Sequence, residues 1–279
     1  MENSSSFLDS INRAMAEGTV VLPVFSASAL KVQRELVKKD ADTRVVESIL
    51  AGDQSLSSQV LQMANSAFYK GLVEVKTVRA AIIRLGLQEV GRIALLASAR
   101  NQFRSRDREL NVVMKKLWQH SVGCAMGARW LANRCQFADL ETNAFFAGLL
   151  HDIGKLFVLM VVDRLREKDG NLPVTHSLLL ETMDSLHCVQ GEQLMHQWNM
   201  PEDYCLVARE HHQLEADHRN HLLLVVRLAN CACHKLGIGL KKDERLLLSG
   251  REEAQALTLR DIDLAELEIH LEDIPALSS

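Results

Sequence analysis

The chain has 279 residues, enough to bury a substantial core as one large domain or two modest ones. Apolar types make up 47% and charged types 24%, with only 4 prolines, which excludes a disordered or fibrous chain. A formal net charge of -4 excludes a broadly basic surface and weighs against nucleic acid or an anionic membrane as partner.

The opening residues have no basic region ahead of an apolar core, so no signal peptide is expected. Residues 6–16 predict a short helix with Phe7, Ile11 and Ala14 on one side. Residues 18–23 read as extended, ending at Pro23, which disfavours helix before it. Residues 26–36 carry Ala29, Leu30, Val32 and Leu36 at near-helical spacing. Asp42 is placed to cap a helix bearing Val45, Val46, Ile49 and Leu50, and Asp53 and Ser55 to cap another with Val60, Leu61 and Ala64 inward. A break at 65–71 precedes a helix over 75–85 with Val78, Ala81, Ile82 and Leu85, which Gly86 is expected to end in a left-handed conformation. Residues 87–99 follow, with Val90, Ile93, Ala94 and Ala97 as the inner stripe. Short amphipathic helices in series predict a compact bundle. Residues 101–111 then alternate in charge, either as a boundary or as the solvated first turn of the next helix.

Longer helices are expected beyond. Residues 112–132 line up Val113, Leu117, His120, Cys124, Ala128 and Leu131. Residues 142–150 lead almost directly into 153–162, and the apolar runs 144–150 and 156–162 are each too short to span a bilayer, so a cytoplasmic location is expected. Thr175 caps a helix through Met183, a separate helix covers 187–198, and Pro201 sits at a first helical position. Residues 218–236 are helical until Gly237 and Gly239, and 246–248 and 261–271 form a helical tail. The reading is all-α, with an N-terminal helical lobe at 1–105, a second helical lobe at 106–240 and a tail at 241–279 packing on the core. Six cysteines show no CxxC spacing, and Cys231 and Cys233 diverge on a helix, so buried free thiols in a reducing compartment are the reading.

The histidines carry the chemistry. His120 falls in line with Leu117 and Cys124 and so faces inward. His151 and Asp152 are adjacent between two apolar runs, His187 begins a helical segment, and His211 and His212 form a second adjacent pair. Imidazole nitrogens with a carboxylate form a ligand set for a divalent ion such as zinc, manganese, iron or magnesium, and Lys155 is a point donor for phosphate. The alternative is a set of core histidines hydrogen-bonded to the backbone.

The stretch Leu149, Leu150, His151, Asp152, Ile153, Gly154, Lys155, downstream of His120, resembles the defining element of the HD superfamily of metal-dependent phosphohydrolases. His187, Gly191, Trp198 and Pro201, followed by His211 and His212, resemble the branch holding HD-GYP and HDOD proteins. Leu22, Pro23, Ile49, Asp53, Leu56, the run 64–69 and Leu85–Gly86 are similar to the first part of HDOD domains. The resemblance implies an HD-like helical fold with an additional N-terminal helical bundle lobe, and a metal held by His120, His151, Asp152 and a later aspartate. At that later position this chain has Asn230, an amide without charge. His187, His211 and His212 would add a multinuclear site. The Gly-Tyr-Pro element tied to cyclic di-GMP hydrolysis is replaced by Gln213–His218.

The resemblance therefore implies a bacterial signal-transduction module that binds a protein partner or nucleotide without efficient catalysis. The alternative is a metal-dependent phosphohydrolase acting on a nucleotide or phosphate ester, with Asp152 and Lys155 as catalytic candidates. A homodimer is compatible with the helical faces, although no heptad seam argues for one.

Overall fold

The structure is a computed structural model and describes residues 26–38, 40–66, 69, 73–168, 174–215 and 217–273, with Phe7, Ile11 and Arg13. The expectations for residues 6–16 beyond those three, for the segment 18–23 and for Ala67, Phe68 and Gly71 lie outside the described residues. Phe7 and Ile11 are helical and buried. Every regular element among the described residues is a helix, so the fold is all-α. The chain divides into two compact units between Phe103 and Arg104, and Phe7 and Ile11 group with the second.

The first unit contains α1 (Ala27–Leu36), α2 (Thr43–Ala51), α3 (Gln54–Ala64), α4 (Val78–Leu85) and α5 (Leu87–Arg100). Four of these helices start on side-chain caps: Ser26, Asp42, Asp53 and Thr77 each accept a hydrogen bond from a backbone N–H two or three residues on. Asp53, not Ser55, caps α3. Gly86 has a positive φ of 86°, but its ψ of 157° is extended rather than left-handed helical. The reason is its double duty, since it closes α4 and opens α5 one residue later. Helix α5 is buried at every position from Val90 to Ala99, so it is the centre of the bundle, and α1 and α3 pack around it. Asn65 fastens the connection to α4: its side chain donates to the carbonyls of Leu61 and Val75 and accepts from the Val75 N–H.

The second unit is built on α6 (Arg108–Arg134), capped by Asp107, whose carboxylate accepts from Leu110 N at 3.0 Å. Arg166 reaches back to Asp107 and Glu109, so the charges from 107 onward belong to this first turn. Helix α7 (Glu141–Leu150) runs against α6 and is followed after two residues by α8 (Ile153–Lys168). By length and composition the stretch Ala138–Lys168 could cross a membrane, but 94% of its apolar window is buried inside the protein. Its hydropathy is that of a core helix.

The helix α9 (His176–Gln197) is continuous where a break after Met183 was expected. Asp184, Ser185 and Leu186 contain no breaker, and the hydroxyls of Thr182 and Ser185 bond to the Leu178 and Thr182 carbonyls within the helix. Pro201 stands one residue outside α10 (Glu202–Glu210), with an extended ψ of 141° and its carbonyl accepting from Tyr204 N. Helix α11 (His221–Leu236) ends on Gly237 in the left-handed conformation, and it packs on α6. A short α12 (Glu252–Ala256) follows. Then α13 (Asp261–Glu272) lays Leu267 and Leu271 beside Gly127 of α6.

Candidate metal centre

The second unit brings its histidines to one place. His120 comes from the middle of α6, His151 and Asp152 from the two residues between α7 and α8, His187 from α9, and His211 and His212 from the end of α10. Helix packing at two glycines sets these positions. A methyl group on Gly148 would stand 2.6 Å from the Cys124 carbonyl, and one on Gly154 would stand 2.0 Å from the His187 carbonyl and 2.8 Å from Gly191 N. Only a missing side chain lets α8 approach α9 closely enough for His187 to face Asp152. Gly154→Ala is therefore expected to destabilise the protein by about 3 kcal/mol, the upper part of the overpacking range, because a backbone rather than a side chain must yield. It should also weaken metal binding, measured by urea unfolding and metal titration.

Each inward histidine is anchored through Nδ1. His151 Nδ1 donates to Gly148 O at 2.7 Å, His187 Nδ1 to Met183 O at 2.9 Å, His211 Nδ1 to Ala208 O at 3.0 Å and His120 Nδ1 to Ile238 O at 3.1 Å. A carbonyl can only accept, so Nδ1 bears the proton, and in a neutral ring Nε2 then presents a lone pair. This is how metal-binding imidazoles are oriented. Those lone pairs converge on Asp152. His120 and His151 Nε2 lie 3.4 and 3.5 Å from Asp152 Oδ2, and His187 and His211 Nε2 lie 3.5 and 3.4 Å from Oδ1. His187 and His211 Nε2 face each other at 3.3 Å.

These contacts set lone pair against lone pair, which repels unless a cation lies between. An ion about 2.0–2.1 Å from nitrogen and about 2.0–2.2 Å from oxygen sets a tetrahedral N···O edge of about 3.4 Å. The observed spacings match that edge. His151 Nε2 and Asp152 Oδ1 are buried with no hydrogen-bond partner, the condition a coordinated ion relieves. The residues thus fit a divalent ion in two adjoining positions, one on His120, His151 and Asp152 and one on Asp152, His187, His211 and His212.

Electrostatics keep the ligands in their binding forms. Burial lowers the pKa of His120, takes that of His151 well below its ordinary value and brings that of His187 down to about 4, so these imidazoles stay neutral. Burial alone would raise Asp152. The Lys155 ammonium, 2.7 Å from Oδ2, opposes burial, and the carboxyl is held well below the usual range. Lys155 is itself buried and serves here as the carboxylate's counter-ion.

Of the residues expected from sequence, His120, His151, Asp152, His187 and His211 are buried together, and His212 stands at the exposed edge with its ring 4.2 Å from that of His211. Asn230 is buried on α11 and lines a cavity of about 390 Å³ with His211 and His212. His234 was missed. One turn beyond Asn230, it lines the same cavity, and its ring stacks on His120 at 5.2 Å. The i, i+4 spacing from Asn230 was the available signal.

Helices carrying an inward His–Asp pair, with further imidazoles turned on the same carboxylate, define an HD-type helical protein whose clustered side chains could hold a divalent ion. A family model described as the HDOD domain matches residues 22–214, and the chain belongs to the HDOD family. That match ends before α11, so Asn230 and His234 lie beyond it. A crystal structure of an HDOD domain protein of unknown function from Geobacter sulfurreducens is 23% identical, with a TM-score of 0.77 over 98% of this chain and 97% of that one. A Shewanella amazonensis SB2B protein whose name proposes a metal-dependent phosphohydrolase is 22% identical, with a TM-score of 0.71 and complete coverage of both chains. A Marinobacter aquaeolei VT8 protein whose name proposes signal transduction is 22% identical, with a TM-score of 0.70 over 99% of this chain and 66% of that one. An uncharacterized protein of Treponema pallidum (strain Nichols) is 22% identical over 198 residues, which span 69% of this chain and 38% of that protein.

Proposed function

We propose that the protein is a metal-dependent phosphohydrolase acting on a nucleotide or another phosphate ester, with His120, His151, Asp152, His187, His211 and His212 as the residues that would hold its divalent ions. The observation that carries this reading is the set of four Nε2 atoms facing one buried carboxylate at 3.4–3.5 Å. Bound divalent ions supply an acidified water and polarise a phosphoryl oxygen. Asp152 holds both positions together, and Lys155 keeps it ionised and oriented. Asn230 contributes no charge at the cavity wall, so one carboxylate serves two cations and the pocket retains positive charge suited to an anionic phosphate. The fold and the relatives' names support this alternative from the sequence more than the non-catalytic one.

The test is protein purified without chelator, assayed for metal by elemental analysis and against phosphomonoesters and phosphodiesters with added Mn²⁺. Metal-dependent turnover that disappears in His151→Ala is expected. Stoichiometric metal with no turnover on either ester class would overturn hydrolysis. That result favours a second reading, a signalling module that binds a protein partner or nucleotide, which Asn230 and the Gln213–His218 replacement support.

A further inference from the structure

Two of the buried thiols share a histidine with the centre just described. His120 and Cys124 lie one turn apart on the same face of α6, and Cys233 faces them from α11. Their ligand atoms all lie within 4.8 Å of one another, and His120 Nε2 is 3.5 Å from Cys124 Sγ. A tetrahedral ion about 2.0–2.1 Å from nitrogen and about 2.3 Å from sulfur requires an N···S edge of about 3.6 Å. Gly123 admits the second sulfur, since a methyl group there would stand 2.9 Å from Cys233 Sγ. Both cysteines are free and fully buried, and His120 is 3% exposed.

We propose that His120, Cys124 and Cys233 form a separate site for a thiophilic d¹⁰ ion such as Zn²⁺, mutually exclusive with the position on His120, His151 and Asp152. Binding releases two thiol protons to solvent as two metal–sulfur bonds form, and nothing is oxidised or reduced. Two thiolates cancel the charge of the ion, and a neutral unit is what a buried position tolerates. Soft sulfur ligands select Zn²⁺ or Cu⁺ over the harder ions that oxygen ligands prefer. Exclusivity follows from His120: Nδ1 is committed to Ile238 O, so Nε2 is its one available lone pair. An ion on the sulfurs takes that lone pair from the Asp152 side. The competition rests on the histidine–carboxylate centre proposed above, whereas the thiol site stands without it.

The experiment titrates the reduced, chelator-treated full chain with Co²⁺, whose thiolate complexes show sulfur-to-cobalt charge-transfer absorption. One thiolate-bound cobalt per chain is expected in the wild type and in His151→Ala, displaced by Zn²⁺ and absent in Cys124→Ser and Cys233→Ser. Cobalt bound without charge-transfer absorption in both wild type and His151→Ala would overturn the site, whether or not the serine variants fold. An intact band in Asp152→Asn with no loss of total cobalt would support the thiol site while removing the histidine–carboxylate centre.

Discussion

Replacement of Asp152 by asparagine is expected to lower metal affinity by at least about 100-fold. Partners one bond removed from a metal typically cost 10–100-fold, and Asp152 is the ligand common to both positions. The substitution also leaves the buried Lys155 ammonium without its carboxylate, 2.7 Å away in the native protein, and an uncompensated buried charge costs about 3–5 kcal/mol. The double variant Asp152→Asn, Lys155→Met separates the two effects: stability should recover while Mn²⁺ remains absent. Elemental analysis, and thermal melting with and without Mn²⁺, read both outcomes, since an ion that binds only the folded state raises its melting temperature. Wild-type Mn²⁺ content in Asp152→Asn would show that the carboxylate is not the shared ligand.

Glu253→Gln should cost about 3 kcal/mol, because it breaks a buried ion pair from one side. Arg227 Nε donates to Glu253 Oε1 at 2.7 Å, and its remaining nitrogens reach Glu252 and the Gln213 carbonyl. This pair thereby ties α11 and α12 to the segment just after His212. Burial would raise the Glu253 pKa, but hydrogen bonds from Arg227, the backbone and Arg251 outweigh it and depress the value below the ordinary 4.5. A depressed folded-state pKa means stability present above the ordinary range and lost as pH falls through the folded value. The gap between wild type and Glu253→Gln, measured by urea unfolding, should therefore be full at pH 7 and shrink in acid below about pH 4.5. A gap independent of pH would assign the cost to packing instead.

Most helices were legible because their signals are local. Asp42, Asp53 and Thr175 cap where expected, and the stripes through Val78–Ile82 and Leu117–Leu131 are buried as their spacing implies. His151 and Asp152 were legible because two apolar runs isolate them. What stayed hidden depends on contacts between distant segments. Nothing near Gly154 indicates that the His187 carbonyl lies against it, and nothing near Cys124 indicates Cys233, more than a hundred positions away. The continuity of α9 was hidden for a different reason: hydroxyl side chains that often disfavour helix were satisfied inside it. His234 is marked in the sequence only by its spacing of four from Asn230, a single helical step that many buried pairs share.

The anchoring of the imidazoles bears on how such a centre changes over evolutionary time. His151, His187 and His211 are each aimed by a carbonyl three or four positions back on their own helix, so none depends on another imidazole for its orientation. Mutation can remove one such donor and leave the remaining ones pointing as before. Single donors can therefore be lost one at a time while the scaffold and the aim of the others persist. His120 is the exception, aimed by the loop carbonyl of Ile238, and a shift of that loop would detach it without any change at a ligand.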